Sequence, residues 1–160
     1  MVDSSLVSVV VGGLLTLGGA AMSGGITLFT NSLQKSAESK KRRADKFEEL
    51  VAALYEFDHW VESWRLKEVL GENLTIPVSP FAKVQSISSV YFPRFDDGVK
   101  ALNVASDSYR IWMMQAAQRR VSGDLLHLQD GFAEAHTFYC ETRDGLVDAL
   151  KIFACDEFQT

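Results

Sequence analysis

The chain has 160 residues, with 16 Lys and Arg against 21 Asp and Glu, so its formal net charge is −5. The charges are unevenly spread: 23% of the chain is charged, yet residues 4 to 34 carry no charged side chain. A run of 31 uncharged residues excludes a purely soluble single-domain protein and makes a membrane segment the first hypothesis.

The first predicted element is a transmembrane helix over residues 6–33, preceded by a short extracytoplasmic N-terminus at residues 1–5. The run suffices, because about 20 apolar residues span a bilayer core as a helix. A secretory signal peptide is the main rival, and it needs a basic leader and a shorter apolar core. The leader here, Met-Val-Asp-Ser-Ser, has no Lys or Arg. A buried or interfacial helix is the remaining alternative.

Small and hydroxyl-bearing residues recur along one face of this predicted helix. Their spacing is 4, 4, 3, 4, 4 and 3 residues: Ser8, Gly12, Thr16, Gly19, Ser23, Thr27 and Thr30. In lipid, small residues let helices approach closely, and hydroxyls can hydrogen-bond across the contact. The stripe therefore predicts a membrane helix packing face and a homo-oligomer. The alternatives are the ordinary small-residue content of membrane helices and a polar-lined pore.

A basic juxtamembrane segment follows at residues 34–46. Its positive charges are candidates for binding anionic lipid headgroups: Lys35, Lys40, Lys41, Arg42, Arg43 and Lys46. Nucleic-acid binding is the rival interpretation of such a run. It is disfavoured because residues 47–160 contain 10 basic and 18 acidic side chains, a net charge of −8 that would repel a phosphate backbone.

The same basic residues predict the orientation, because Lys and Arg near a membrane helix favour the cytoplasmic side. We therefore expect a single-pass protein of the cell membrane (the inner membrane where there are two), with its N-terminus outside and its C-terminal domain in the cytoplasm. Cys140 and Cys155 would then be free thiols in a reducing compartment.

Residues 47–160 are predicted to form a cytoplasmic helical bundle. The first stripe has coiled-coil spacing: Phe47, Leu50, Leu54, Phe57, Val61 and Trp64. Gly71 should end that helix, and a short helix is expected over residues 80–91. A further stripe follows Pro93 and stops at Gly123: Phe95, Val99, Leu102, Ser106, Tyr109, Met113 and Ala116.

The last helix is predicted over residues 124–158 on the stripe Leu125, Leu128, Phe132, Ala135, Tyr139, Thr142, Leu146, Ala149 and Phe153. Gly131 and Gly145 are the positions where this helix could kink or be interrupted. The fold class is thus all-α: one transmembrane helix continuing into an up-down bundle of three long helices and one short helix. The predicted core is rich in aromatic side chains.

One pattern suggests chemistry, the pair Glu56 and His59, because Glu-x-x-His pairs hold metals inside helical bundles. Asp124 with His127 is a looser relative, and Glu134, His136 and Glu141 could add ligands. The heptad places Glu56 and His59 opposite the apolar stripe, where they could not point inward. The sequence therefore predicts no metal, no cofactor and no enzymatic activity.

Two features are candidate partner surfaces. Trp60 falls beside the first stripe rather than on it, so it is expected to cover a partner helix. His127, Glu134 and Glu141 fall one heptad apart, which predicts a polar strip on the last helix.

The leading functional hypothesis is a non-enzymatic interaction or scaffold protein, which self-associates in the membrane and presents its bundle to a protein partner. The first alternative is an oligomeric pore-forming or membrane-disrupting effector gated by its cytoplasmic domain. The second alternative is a helical metalloprotein.

Overall fold

The structure is a computed structural model that describes the backbone of residues 4–158 and the side chains of residue 35 and residues 37–158. All regular structure in that part of the chain is helical, which confirms the predicted fold class at this level. The elements are α1 (Ser4–Glu68), α2 (Phe81–Tyr91), a 3-10 turn (Pro93–Phe95), α3 (Asp96–Ser122) and α4 (Phe132–Phe158).

The chain divides into two compact units, residues 1–43 and residues 44–160. Where side chains are described, no helix is both long and apolar enough to cross a bilayer. The side chains of the predicted transmembrane segment 6–33 are not among those that the structure describes. The same holds for the residues of its stripe: Ser8, Gly12, Thr16, Gly19, Ser23, Thr27 and Thr30.

Within residues 44–160 the helices alternate in direction. Phe57 of α1 lies 5.0 Å from Phe81 at the start of α2, and Phe47 lies 5.6 Å from Phe92, just after its end. Helix α2 therefore runs back along α1. Helix α3 returns in the direction of α1, and α4 ends with Phe153 only 5.4 Å from Phe47. The result is the predicted bundle of three long helices and one short helix.

Helix α1 buries the stripe that its sequence predicted. Phe47, Leu50, Leu54, Phe57 and Val61 are all buried, and Trp64 is half-buried beside them. The helix ends at Glu68, and the positive φ of 77° at Gly71 lets its N–H donate to the carbonyl of Lys67 at 3.0 Å. A left-handed residue there satisfies a terminal carbonyl.

Helix α3 follows its predicted register from Val99 to Ala116, and Phe95 in the 3-10 turn before it is buried on the same face. All seven stripe residues are buried, including Ser106, whose hydroxyl donates to the Asn103 carbonyl at 2.8 Å. Gly123 ends the helix with φ 81°. Its N–H donates to the carbonyl of Arg120, and the Asp124 N–H donates to that of Arg119, which is the Schellman pattern.

Helix α4 corrects the prediction for the last element, because it begins at Phe132 rather than at residue 124. Residues 124–131 form turns, and Gly131 takes a positive φ of 78° that breaks the helix. Two side chains of α3 bind these turns. Arg119 donates to the carbonyls of His127 and Asp130, and Trp112 Nε1 donates to that of Asp130 at 3.1 Å.

The predicted inward stripe of the last element is wrong at two positions, although Tyr139, Leu146 and Phe153 are buried as expected. Leu125 is 65% exposed in the turns, and Ala149 is exposed while its neighbour Leu150 is buried. The larger apolar side chain gains more from burial, so the helix face turns toward Leu150.

Candidate interaction surfaces

The basic segment is exposed up to the start of the bundle. Lys35, Lys40, Lys41, Arg42 and Arg43 all have exposed side chains. This arrangement leaves a run of four consecutive cations, residues 40–43, accessible immediately before the compact unit that begins at Ala44.

Lys46, the last predicted headgroup ligand, differs from the others because it belongs to the bundle. Its Nζ lies 2.5 Å from Glu49 Oε2 and 5.7 Å from the ring centre of Tyr91. The hydrogen bond to Glu49 raises the pKa of Lys46 and lowers the pKa of Glu49. Lys46 is therefore engaged in fixing α1 against the end of α2.

Trp60, predicted as a partner residue, is buried within the bundle of a single chain. Its side chain is only 8% exposed, and its ring stacks on Phe57 and meets Trp64 edge-on. Its Nε1 donates to the Pro77 carbonyl at 2.9 Å, and the Arg110 guanidinium lies 5.4 Å from its ring centre. Indole rings are commonly buried with their N–H paired, and here that pairing ties the loop after α1 to the helix.

The predicted strip of His127, Glu134 and Glu141 is not one continuous helix face. Glu134 and Glu141 are exposed on α4, whereas His127 lies in the turns before it. His127 Nδ1 is 2.7 Å from Asp124 Oδ1. That hydrogen bond raises the pKa of His127 and lowers the pKa of Asp124.

The acidic and histidine residues considered as metal ligands are dispersed. Glu56 and His59 are exposed on α1, while Asp58 between them faces α4. Among the residues with described side chains, no three His, Cys, Asp or Glu come together as a metal site would require.

A polar network that the sequence did not reveal joins α1 to α4. Asp58 Oδ1 accepts a hydrogen bond from the Tyr139 hydroxyl and another from Arg143 Nη1, both at 2.9 Å. Arg143 also contacts Asp144 at 2.9 Å. Burial is the main cause that raises the pKa of Tyr139, and Asp58 adds to it, so the phenol stays protonated and acts as a donor.

The two cysteines show no arrangement for nucleophilic chemistry. Cys140 Sγ lies 3.5 Å from His136 Nε2, but burial raises the pKa of the thiol. A reactive cysteine needs the opposite shift, toward the thiolate. Cys155 is exposed near the end of α4.

Two grooves flank α1 on the bundle. The larger, of about 530 Å³, lies between α1 and the loop before α2 and is lined by Glu56, His59, Ser63, Thr75 and Val78, among others. The smaller, of about 190 Å³, lies between α1 and α4. Its lining is almost wholly apolar, with Val51, Leu54, Val147, Leu150 and Ala154.

No protein-family model, curated protein or solved structure matches this chain.

Proposed function

We propose that this chain is a single-pass, membrane-anchored helical interaction protein. In this proposal residues 6–33 span the membrane and self-associate through the small-residue stripe, and the bundle is presented to a protein partner in the cytoplasm. The observation that carries it is a sequence of three zones: 31 uncharged residues, then exposed Lys40–Arg43, then a compact acidic bundle from Ala44.

The charge distribution supports the anchor and its orientation. Residues 35–46 hold six basic and two acidic side chains, a net charge of +4, while residues 47–160 have a net charge of −8. Cations beside a membrane segment favour the cytoplasmic face, and each contributes about 1 kcal/mol of attraction to an anionic surface. The acidic bundle would be repelled from that surface and held away from the headgroups.

The bundle itself supports a binding rather than a catalytic role. Its polar network of Asp58 with Tyr139 and Arg143 joins two helices, and its thiol at Cys140 has a raised pKa. A perturbed titratable group facing a cleft would favour an enzyme. The grooves that flank α1 instead offer apolar and mixed surface of the kind that proteins and peptides contact.

The anchor is tested by two charges placed in the uncharged run. The variant with Leu14→Arg and Leu15→Arg should be extracted from membranes by alkaline carbonate, whereas the unchanged chain should stay in the membrane pellet. The reason is that each central arginine costs about 2.5–3.5 kcal/mol in a membrane helix. The matched control, Leu14→Val with Leu15→Val, should stay membrane-bound. Equal membrane retention of both variants would overturn the anchor.

Orientation and self-association have separate tests. An impermeant maleimide should label exposed Cys155 only after cell lysis, whereas a Ser4→Cys variant should be labelled in intact cells. Disulfide crosslinks between Ser4→Cys side chains of two copies in membranes should be lost when Gly12→Leu and Gly19→Leu are added, while Val10→Leu on the other helix face should retain them. Labelling of Cys155 in intact cells would reverse the topology.

A further inference from the structure

Helix α3 carries four large apolar side chains on the face that points away from the core. Val104 is 58% exposed, Ile111 57%, Met114 65% and Val121 81%. The opposite face holds fully buried residues such as Leu102, Tyr109 and Met113. Among the residues whose side chains are described, no other helix exposes as many large apolar side chains.

These four residues form a regular seam, which we call the outer seam of α3. With Asp107 and Gln118 included, the spacing from residue 104 to residue 121 is 3, 4, 3, 4 and 3. This is the heptad spacing by which one helix packs along another. At 1.5 Å per residue the outer seam is roughly 25 Å long.

The outer seam reads the same in both directions. From either end the order is apolar, polar, apolar, apolar, polar, apolar, and the spacing is symmetric about a point between Ile111 and Met114. A two-fold interface requires this property, since residue i must fit residue j of the second copy and residue j must fit residue i. The pattern is therefore suited to a second copy in antiparallel orientation.

In the antiparallel pair, each apolar residue of the outer seam would meet an apolar residue of the second copy, and each polar residue would meet a polar one. Val104 would meet Val121 of the second copy, Ile111 would meet Met114, and the Asp107 carboxylate would accept a hydrogen bond from the Gln118 amide. The Asp107 side chain is 53% exposed beside Arg110, so part of it remains accessible. A parallel pair would instead place the two Asp107 carboxylates together, which disfavours that orientation.

We propose that the outer seam of α3 is a homodimer interface, covered by α3 of a second copy in antiparallel orientation. The interface belongs to the bundle. Because α3 runs in the direction of α1, it places Ala44 of the two copies at opposite ends of the dimer, so it forms as an alternative to the parallel membrane contact proposed for residues 6–33. A seam of this size buries on the order of 1,000 Å² in total, close to the lower end of specific interfaces, so the dimer should dissociate on dilution.

Cysteine crosslinking of the full chain in mild detergent tests the orientation. The background carries Cys140→Ala and Cys155→Ser, together with Gly12→Leu and Gly19→Leu to remove the proposed membrane contact. Val104→Cys with Val121→Cys in one chain should give a covalent dimer with a short bis-maleimide. Each single variant should give less than about a tenth of that yield, as should Ser86→Cys, an exposed control on α2.

The two possible failures are distinguishable. A yield for the double variant no higher than that for Ser86→Cys would overturn the interface. Efficient dimer formation by Val104→Cys alone would overturn the antiparallel orientation, since equal residues meet only in a parallel pair. Loss of membrane association in the earlier experiments would leave this result unaffected.

A charge exchange gives an independent measurement. Ile111→Glu alone and Met114→Lys alone should each raise the concentration of half-dissociation at least tenfold by sedimentation in the same background. The combined variant should recover dimer formation, because each new carboxylate lies opposite a new ammonium of the second copy. Both positions are more than half exposed, so thermal melts at concentrations where every variant is monomeric should remain unchanged. Failure of the combined variant to recover would count against the pairing of Ile111 with Met114.

Discussion

Arg143 on α4 donates a hydrogen bond to Asp58 on α1 at 2.9 Å, although 85 residues separate them in the chain. The same Asp58 oxygen accepts from the Tyr139 hydroxyl at 2.9 Å. One carboxylate thus fixes the register of the last helix against the first. Its environment is only partly exposed, with 34% of the Asp58 side chain and 28% of the Arg143 side chain accessible.

Removing this carboxylate should destabilise the bundle. Asp58→Ala leaves the Tyr139 hydroxyl and the Arg143 guanidinium without their shared acceptor, and an unmade hydrogen bond at such a site costs about 1–3 kcal/mol. The measurement is the free energy of unfolding in urea. Asp144→Ala removes a 62% exposed partner of the same arginine and should change that free energy by less than about 1 kcal/mol. Similar losses in both variants would contradict the central role of Asp58.

The pair of His127 and Asp124 should confer a pH-dependent stability. The His127 pKa is raised above 6.5, so its contribution is complete below the unfolded pKa and is lost as pH rises through the folded value. The Asp124 pKa is lowered below 3.8, so its contribution is lost only as pH falls through that lowered value. The pair therefore stabilises the turn between these two limits. Asp124→Asn should lower the His127 pKa in an NMR titration, and an unchanged His127 pKa would show that the pair does not form in solution.

Two glycines should respond to alanine in opposite directions. Gly123 has φ 81° with open space where an alanine methyl group would stand, so Gly123→Ala should cost about 1–2 kcal/mol from backbone strain alone. Gly145 lies inside α4, also with open space, and Gly145→Ala should stabilise the bundle by about 0.5–1 kcal/mol. Thermal melts of the two variants measure the loss and the gain of stability. Destabilisation by Gly145→Ala would show that α4 is not helical there.

The free energy of unfolding that a leucine contributes should depend on how far its side chain is buried. Leu102 is fully buried, so Leu102→Ala should lower the free energy of unfolding by about 2–5 kcal/mol through lost burial and a cavity. Leu126 is 93% exposed in the turns, and Leu126→Ala should change it by no more than about 0.5 kcal/mol. Urea unfolding compares the two, and equal effects would place Leu126 in a packed environment.

The helical periodicity was sufficient to predict most of α3. Its stripe is set by local rules, since residues three and four apart share a helix face and the apolar face must be buried. Gly123 and Gly71 marked the helix ends for an equally local reason, because a left-handed residue is favoured there. The run of uncharged residues and the basic segment were likewise visible without coordinates.

The apolar periodicity did not predict the start of α4, although Gly131 was a candidate interruption. The apolar spacing continues through residues 124–131, but the helix does not, because Gly131 takes a positive φ and the carbonyls of the turns are bonded by Arg119 and Trp112 of α3. Those donors are 8 and 18 residues away from their acceptors, so the three- and four-residue spacing of apolar side chains does not reveal them. The strip of His127, Glu134 and Glu141 failed for this reason.

The sequence by itself determined the helical class, the charge zones and the inward face of α3, because each depends on residues close together in the chain. Only the tertiary structure decided that Trp60 is buried against Pro77, that Asp58 binds Tyr139 and Arg143, and that the outer seam of α3 is left uncovered. Those outcomes depend on which helix lies beside which. Contacts between distant residues set that arrangement, and no local spacing encodes them.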